Sequence, residues 1–331
     1  MPHVVSLAGL FLLLIGCLAP VALPAPAAGQ EAAVSLFPRP AVLQPNIDFW
    51  RQVYMEYGVE DFVLHDRANM GLIYEVVRVT ETANQARATE QAKPEIRRLR
   101  AQYEGIAKAL AEGQAPETMG PEAVDVFRLW GCPCSPEALQ RLAVNIRVQQ
   151  GLRQKVQEGL RRAGKLMPQI LDILRKHEVP DELAALPLVE STYNPEARSK
   201  AGAVGMWQFI TPTGKQYLTI SRKRDDRRDP IRSTEAAAHL LKHNYQSLGS
   251  WPLAIIAYNH GQEGILTAKA AVGSSAIEDI ILRYTGPRFG FASKNFYAEF
   301  LAALDVVSPL IQEHTQAVNQ VRPRPRAPRQ G

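Results

Sequence analysis

Apolar residues recur at intervals of three and four through most of the chain, the spacing that lines one face of a helix. After Pro94, the residues Ile96, Leu99, Tyr103, Ile106 and Leu110 form such a stripe between charged positions, and Gly113 ends it. Ser135 before Pro136 and Glu137 is an N-terminal signature for a second helix, with Leu139, Leu142 and Ile146 on one side. Another runs from Met167 to His177. Asp181 to Val189 reads as apolar helix, Asp229-Pro230 opens one that continues through Ala236 to Leu248, and Trp251-Pro252 opens a short, wholly apolar one from Leu253 to Ala257. Asn295-Phe296-Tyr297 begins the last, with Phe300, Leu301 and Leu304. Only Phe62 to Leu64 and Ile73 to Thr80 are β-branched or aromatic enough for strands, a small β-hairpin at most. The pattern predicts a mainly α protein.

The two ends depart from this pattern. Val4 to Leu18 is almost wholly apolar, turns to Ala/Pro-rich text, and no Lys, Arg, Asp or Glu precedes Glu31. It reads as a signal peptide, too short for a spanning helix of roughly 20 residues. Two exits compete: cleavage at Ala25-Pro26-Ala27, or acylation of Cys17 in Leu14-Ile15-Gly16-Cys17, which resembles a bacterial lipoprotein box. Either makes the protein exported and periplasmic, the second also membrane-anchored. Cys132 and Cys134 flank Pro133, so a bridge between them would be strained, and no His or further Cys stands near enough in sequence to complete a metal site. At 331 residues and 46% hydrophobic the chain is neither a stapled mini-protein nor disordered. Its net charge of +5 owes much to Arg322, Arg324, Arg326 and Arg329 in the tail, so the body lacks the basic face that nucleic acid requires.

Chemistry concentrates after Pro180. Glu190 ends an apolar helix, where desolvation disfavours its charged form and lets it hold a proton near neutral pH, as a general acid must. Ser191, Tyr193, Asn194, Pro195 and Ser199 follow, then the small-residue loop Ala201 to Gly205 and Met206-Trp207-Gln208-Phe209. Glycines that admit close backbone approach, aromatic surface and the amide of Gln208 suit a carbohydrate cleft, although Trp207 and Phe209 also suit a core. Tyr258 and Asn259 end the apolar helix at the rim of the same expected cavity, and Tyr297 is a candidate to point a hydroxyl inward. Asp225, Asp226 and Asp229 read as solvated surface and helix cap, and His65 and Asp66 as turn and surface groups.

Residues 180 to 305 resemble the lytic transglycosylase domain of the goose-lysozyme-like superfamily, most nearly its membrane-bound lytic murein transglycosylase D type. The resemblance rests on four ordered motifs: Glu190-Ser191 with Tyr193-Asn194-Pro195; Gly202 to Gln208; Ala257-Tyr258-Asn259-His260-Gly261; and Tyr297. It implies that Glu190 is the sole catalytic carboxylate and that Tyr297 steadies it. It also implies that Ser191, Ser199, Gly205, Met206, Gln208, Tyr258 and Asn259 bind substrate, Ser199 at the muramyl N-acetyl group. Gln216-Tyr217-Leu218 departs from relatives that carry a Gly before the Leu, and His260 and Gln262 stand where Ala and Glu are commoner.

The expected organisation is a signal at 1–28, a linker at 29–44, a helical N-terminal region at 45–165, a lysozyme-like domain at 166–309 and a disordered Pro/Arg tail at 310–331. The N-terminal region shows no chemistry of its own and is read as an arm that lengthens the glycan groove or docks a partner. The implied activity is non-hydrolytic cleavage of the β-1,4 bond between N-acetylmuramic acid and N-acetylglucosamine in peptidoglycan strands. It yields 1,6-anhydromuramyl ends, with one Glu as acid then base and no metal or other cofactor. The alternatives are a hydrolytic muramidase on the same fold and a non-catalytic murein-binding scaffold.

Overall fold

The periodic stripes become a helical scaffold in the computed structural model, which describes residues 35–80, 84–131 and 135–321. In chain order the elements are α1 (Gln44–Met55), β1 (Asp61–Asp66), β2 (Ile73–Arg78), α2 (Gln85–Ala111), α3 (Pro121–Leu129), α4 (Pro136–Val144), β3 (Ile146–Gln150) and α5 (Arg153–Lys176). They continue with α6 (Leu186–Ser191), α7 (Thr211–Gly214), α8 (Pro230–Leu248), α9 (Trp251–His260), α10 (Gln262–Val272), α11 (Ile277–Arg283) and α12 (Phe291–Val321). Leu36 onward is one compact unit, and of the segment before it only Ser35 is described. Cys17, Cys132 and Cys134 lie outside the described residues. Among those residues no helix is long and apolar enough to cross a membrane.

The main core is built around α9, which is apolar all round and buried from Trp251 to Ala257, as a helix without a polar face must be. Helices α8, α10 and α12 pack against it. The C-terminal half of α5 adds Met167, Ile170, Leu171 and Leu174 to the same cluster. Each such side chain contributes about 1.5–3 kcal/mol by leaving water.

A second core lies across a three-stranded antiparallel sheet of order β2-β1-β3. Central β1 is buried at every position, and its alternation sorts the cores: Val63 joins the main one, Phe62 and Leu64 the second. The second core is completed by Leu99, Tyr103 and Leu110 of α2, Val126 of α3 and Leu139 of α4.

Several expectations need correction. The N-terminal region does not separate at 165, because Ile47, Phe49, Trp50, Val53 and Tyr54 of α1 and Val156 and Ala163 of α5 all sit in the main core. Helix α2 begins at Gln85, capped by the side chain of Asn84, and runs through Pro94. Its first turns bury only Ala88 and Ala92, too small to mark a stripe. Ile146 starts β3 rather than ending a helix, and Phe62 pairs with Gln150 on one side and Val77 on the other. His65 and Asp66 are buried, 1% and 2% exposed. Asp66 does make the expected turn, accepting from the N–H groups of Ala68 and Asn69. The tail expected to be disordered from 310 is helical to Val321, and 322–331 lie outside the described residues.

Candidate active site

Helix α6 is six residues long with Leu186, Pro187 and Leu188 buried, and it carries Glu190 at its C-terminal end. The chain leaves it through two consecutive left-handed residues, Thr192 (φ 52°) and Tyr193 (φ 56°), conformations that cost non-glycine residues energy and persist only when their surroundings enforce them. Here the enforcing contacts are Tyr193, fully buried with its hydroxyl donating to the Ala184 carbonyl at 2.6 Å, and Arg162, which donates to the Thr192 carbonyl at 3.0 Å. Glu190 itself is half-buried.

Around it the chain gathers groups from three other helices. Burial first, and then the Glu299 carboxyl of α12, push the Glu190 carboxyl up to about 8. Glu299, also half-buried, is itself pushed up to about 8 by burial. Tyr54 of α1 and Tyr258 of α9 are held well above the ordinary tyrosine value by burial first, then by neighbouring carboxyl charge: Glu299 and Glu190 for Tyr54, Glu190 for Tyr258. The Tyr258 hydroxyl donates to the Trp207 carbonyl at 2.7 Å. No cation is among the groups acting on either carboxyl, so burial favours the protonated form of both, and the Glu299 charge adds to this at Glu190.

The loop after α6 forms the adjoining wall. Ser191 Oγ donates to the Met206 carbonyl at 2.8 Å and accepts from the Asn194 N–H at 3.1 Å, locking the first motif to the second. Ser199 Oγ accepts from the Ala203 N–H at 3.0 Å and keeps its own proton for a further partner. Gln208, at φ 50°, donates its amide to the Gly205 carbonyl at 2.8 Å, which leaves its side-chain carbonyl as an acceptor. Asn259 is exposed at the end of α9 and accepts from Ser293 Oγ at 3.3 Å. Gly205 has φ 86°, and a methyl there would overlap the Arg227 carbonyl oxygen, so its lack of a side chain serves backbone packing rather than a ligand. Met206 has no exposed surface and shapes the wall from behind. Trp207 and Phe209 are both core residues, 0% and 2% exposed, with Trp207 Nε1 donating to Thr234 at 2.9 Å.

Two expectations about charge and hydroxyls are overturned. Tyr297 is fully buried and donates to the Pro38 carbonyl at 2.9 Å, and the charges it feels are those of Arg39 and Glu278. The hydroxyls beside the acid are those of Tyr258 and Tyr54. The Arg-rich loop is solvated only in part: residues 221–224 are exposed, but Asp225 pairs with buried Arg227 at 2.7 Å, and buried Asp226 pairs with Arg224 at 2.6 Å and Arg232 at 3.1 Å. Asp229 caps α8 as expected, accepting from the N–H groups of Ile231 and Arg232.

Glu299 and Tyr54 were not anticipated. Glu299 could have been, since it stands among Phe296, Phe300 and Leu301, the same conflict between an acid and an apolar helix that singles out Glu190. Tyr54 follows Trp50 and Val53 in an ordinary core stripe and carries no such signal. Among the described residues, the group able to close on a metal ion is His177, Glu235 and His239, whose ligating atoms lie within 4.8 Å of one another. It joins the end of α5 to α8, shares no residue with the acid's surroundings, and Glu235 is already paired with Lys176 and His177.

Comparison with known proteins places this geometry. Residues 171–281 match the family described as Transglycosylase SLT domain. The chain is 40% identical over 109 residues to membrane-bound lytic murein transglycosylase D of Escherichia coli K12, covering 32% of this chain and 24% of that protein. It is 36% identical over 117 residues to a putative tributyltin chloride resistance protein of an Alteromonas species, covering 35% and 56%. Against membrane-bound lytic murein transglycosylase F of Aeromonas salmonicida it is 31% identical over 121 residues, covering 33% and 23%. The match thus spans about a quarter of the transglycosylase D length. Glu190, Ser199, Gln208, Tyr258 and Asn259 fall inside the family segment, whereas Tyr54, Tyr297 and Glu299 lie outside it.

Proposed function

We propose that the chain is a peptidoglycan lytic transglycosylase of the cell envelope, with Glu190 as its acid and then its base. The observation that carries this reading is the placement of Glu190, half-buried at the end of α6 near Glu299 and Tyr258, where burial raises its carboxyl to about 8. At neutral pH Glu190 holds the proton that the glycosidic oxygen between N-acetylmuramic acid and N-acetylglucosamine must receive as its bond to C1 breaks. The muramyl centre gains oxocarbenium character, which its own N-acetyl carbonyl stabilises. Glu190, now ionised beside a second carboxyl, is a stronger base than an ordinary glutamate. It takes the proton of the muramyl C6 hydroxyl while that oxygen closes on C1. The products are a free N-acetylglucosamine hydroxyl and a 1,6-anhydromuramyl end, with no water consumed.

The presence of Glu299 favours one competing reading, because hydrolytic glycosidases use a pair of carboxyls, one of them ionised as nucleophile or base. Glu299 is itself raised to about 8 and so is mostly protonated at neutral pH, which suits it poorly to that role. Mass spectrometry of murein digested by the purified protein separates the two. Anhydromuramyl products support transglycosylation, products heavier by one water and ending in a reducing muramyl support hydrolysis, and no soluble product supports a binding scaffold. Export through residues 1–28, with either cleavage near Ala27 or acylation of Cys17, fits an envelope substrate; metabolic labelling with palmitate and a Cys17→Ser control decides between them.

The coupling of the carboxyls makes a further prediction. The general acid works only while protonated, so kcat falls as pH rises through the Glu190 value. In Glu299→Gln the neighbour that raises that value is gone, and the alkaline limb of the kcat profile moves toward neutral by up to about one pH unit. An unmoved limb would mean that Glu299 does not act on the acid.

A further inference from the structure

Beyond the acid pair, the described residues enclose a cavity of ≈ 810 Å³ between the start of α1, the turn after β1, the end of α4 and the loop from α11 into α12. Its polar lining consists mainly of four amides, Asn46, Asn69, Asn145 and Asn295, and two cations, Arg67 and Lys294, with no carboxylate. Neither cation has an ion-pair partner among the described residues. A third, Arg147, sits 3.9 Å over the ring of Phe291, which lines the cavity, and feels the charge of Arg67. Asp66 precedes Arg67 but is buried and accepts from the Ala68 and Asn69 N–H groups, so the three cations have no ion pair among the described residues. Two of the few large apolar side chains left open to solvent, Val42 and Leu282, also line the cavity. A mostly apolar hollow with a few convergent polar groups is the usual form of a ligand site.

The cavity adjoins the catalytic groups along one seam. Asn46 donates to Asn295 at 2.9 Å across the α1–α12 contact. Asn295 precedes Glu299 by one helical turn on the same face of α12, about 6 Å along its axis, and Asn46 shares the α1 stripe of Tyr54. Next to Lys294, Ser293 donates to Asn259 at the end of α9 and lies 3.1 Å from His260 Nδ1. Lys294 of the cavity thus stands beside the serine that ties α12 to the end of α9.

From this placement we infer that the cavity binds the carboxylates of the peptide stem carried by the muramyl residue, so that the protein acts on strands bearing stems in preference to stripped ones. The inference rests on the proposed activity. A stem of four residues reaches about 13 Å when extended. Its carboxylates meet Arg67 and Lys294, its amides meet the asparagines, and its methyl groups meet Val42 and Leu282. The N-terminal region thereby contributes to substrate recognition through Arg67, Asn69 and Asn145, widening the site sideways rather than lengthening it.

Carboxylates could come from the stem or from the lactyl group left when the stem is removed, and three substrates tell them apart: murein with free carboxyls, the same murein with its carboxyls amidated, and glycan strands stripped by an amidase. The double variant Arg67→Glu with Lys294→Glu should lose about tenfold in kcat/KM on free-carboxyl murein, by a higher KM at unchanged kcat. It should match the wild type on the amidated and stripped substrates, with an unchanged Tm; Arg67→Lys with Lys294→Arg should retain most of the preference. No loss on free-carboxyl murein, or an equal loss on all three, overturns the inference. A loss that persists on stripped strands overturns the stem assignment in favour of the lactyl carboxylate. Should the wild type release no product from any substrate, the enzymatic reading has failed separately. The cavity is then judged by titrating the protein with a soluble stem tetrapeptide: saturable binding that weakens with salt and is lost in the double variant supports it, and no binding overturns it.

Discussion

Glu190→Gln should reduce turnover of murein by about a thousandfold, the scale on which removing a positioned general acid acts, while leaving murein binding in place. Glutamine keeps the shape and hydrogen-bonding reach of the side chain and cannot release a proton, so the loss falls on kcat. Stability should move the other way. The Glu190 value is raised to about 8 from an ordinary 4.5, so the folded state holds this proton more tightly than the unfolded chain does. Stability is therefore fullest below 4.5 and is lost as pH rises through 8, where the charge must be buried. The variant has no charge to bury, and its Tm should equal the wild type's at pH 5 and exceed it at pH 9. A variant that is inactive because it is misfolded would instead melt lower at every pH.

Gly205→Ala should be the most damaging single change in the loop that forms the wall beside the acid. The residue is left-handed, and a methyl would overlap the carbonyl oxygen of Arg227. Arg227 cannot give way easily: it is buried, paired with Asp225, and donates to the Phe209 carbonyl at 3.3 Å and to Thr211 at 3.1 Å. A cost of about 3 kcal/mol or more is expected, a fall in Tm of roughly 6–12 °C if unfolding is two-state. Activity should drop as well, since the same loop carries the Met206 carbonyl that holds Ser191 and the Gln208 amide. Gly202→Ala provides the comparison. It also has positive φ, 84°, but open space where the methyl would sit, so only the backbone strain of about 1 kcal/mol applies.

Glu190 and most of its wall are legible in the sequence because each breaks a local rule: an acid at the end of an apolar run, glycines in a small-residue loop, polar text closing the apolar α9. The helices whose stripes contain large residues are legible for the same reason. Elements that bury little of their own are not. The first turns of α2 bury only alanines, and β3, Ile-Arg-Val-Gln-Gln, acquires its identity from pairing with β1. Tyr297 and Glu299 show what a single helix leaves undecided. They are two residues apart on α12, and which one faces the acid depends on how the helix is rolled against α1 and α6, a tertiary matter. The merging of α1 into the main core has the same origin, since its aromatic stripe identifies a buried face without naming what covers it. Asp226 and Arg227 look like surface text because charges buried in ion pairs leave the same composition as charges in water.

The central claim is that Glu190 carries a proton at neutral pH, and the titration of its own carboxyl tests this most directly. Carbon-detected NMR of protein labelled at the glutamate carboxyl, assigned by comparison with Glu190→Gln, would follow that signal from pH 4 to pH 10. The account predicts a midpoint near 8 that moves down in Glu299→Gln. A midpoint close to the ordinary 4.5, unaffected by Glu299, would contradict it.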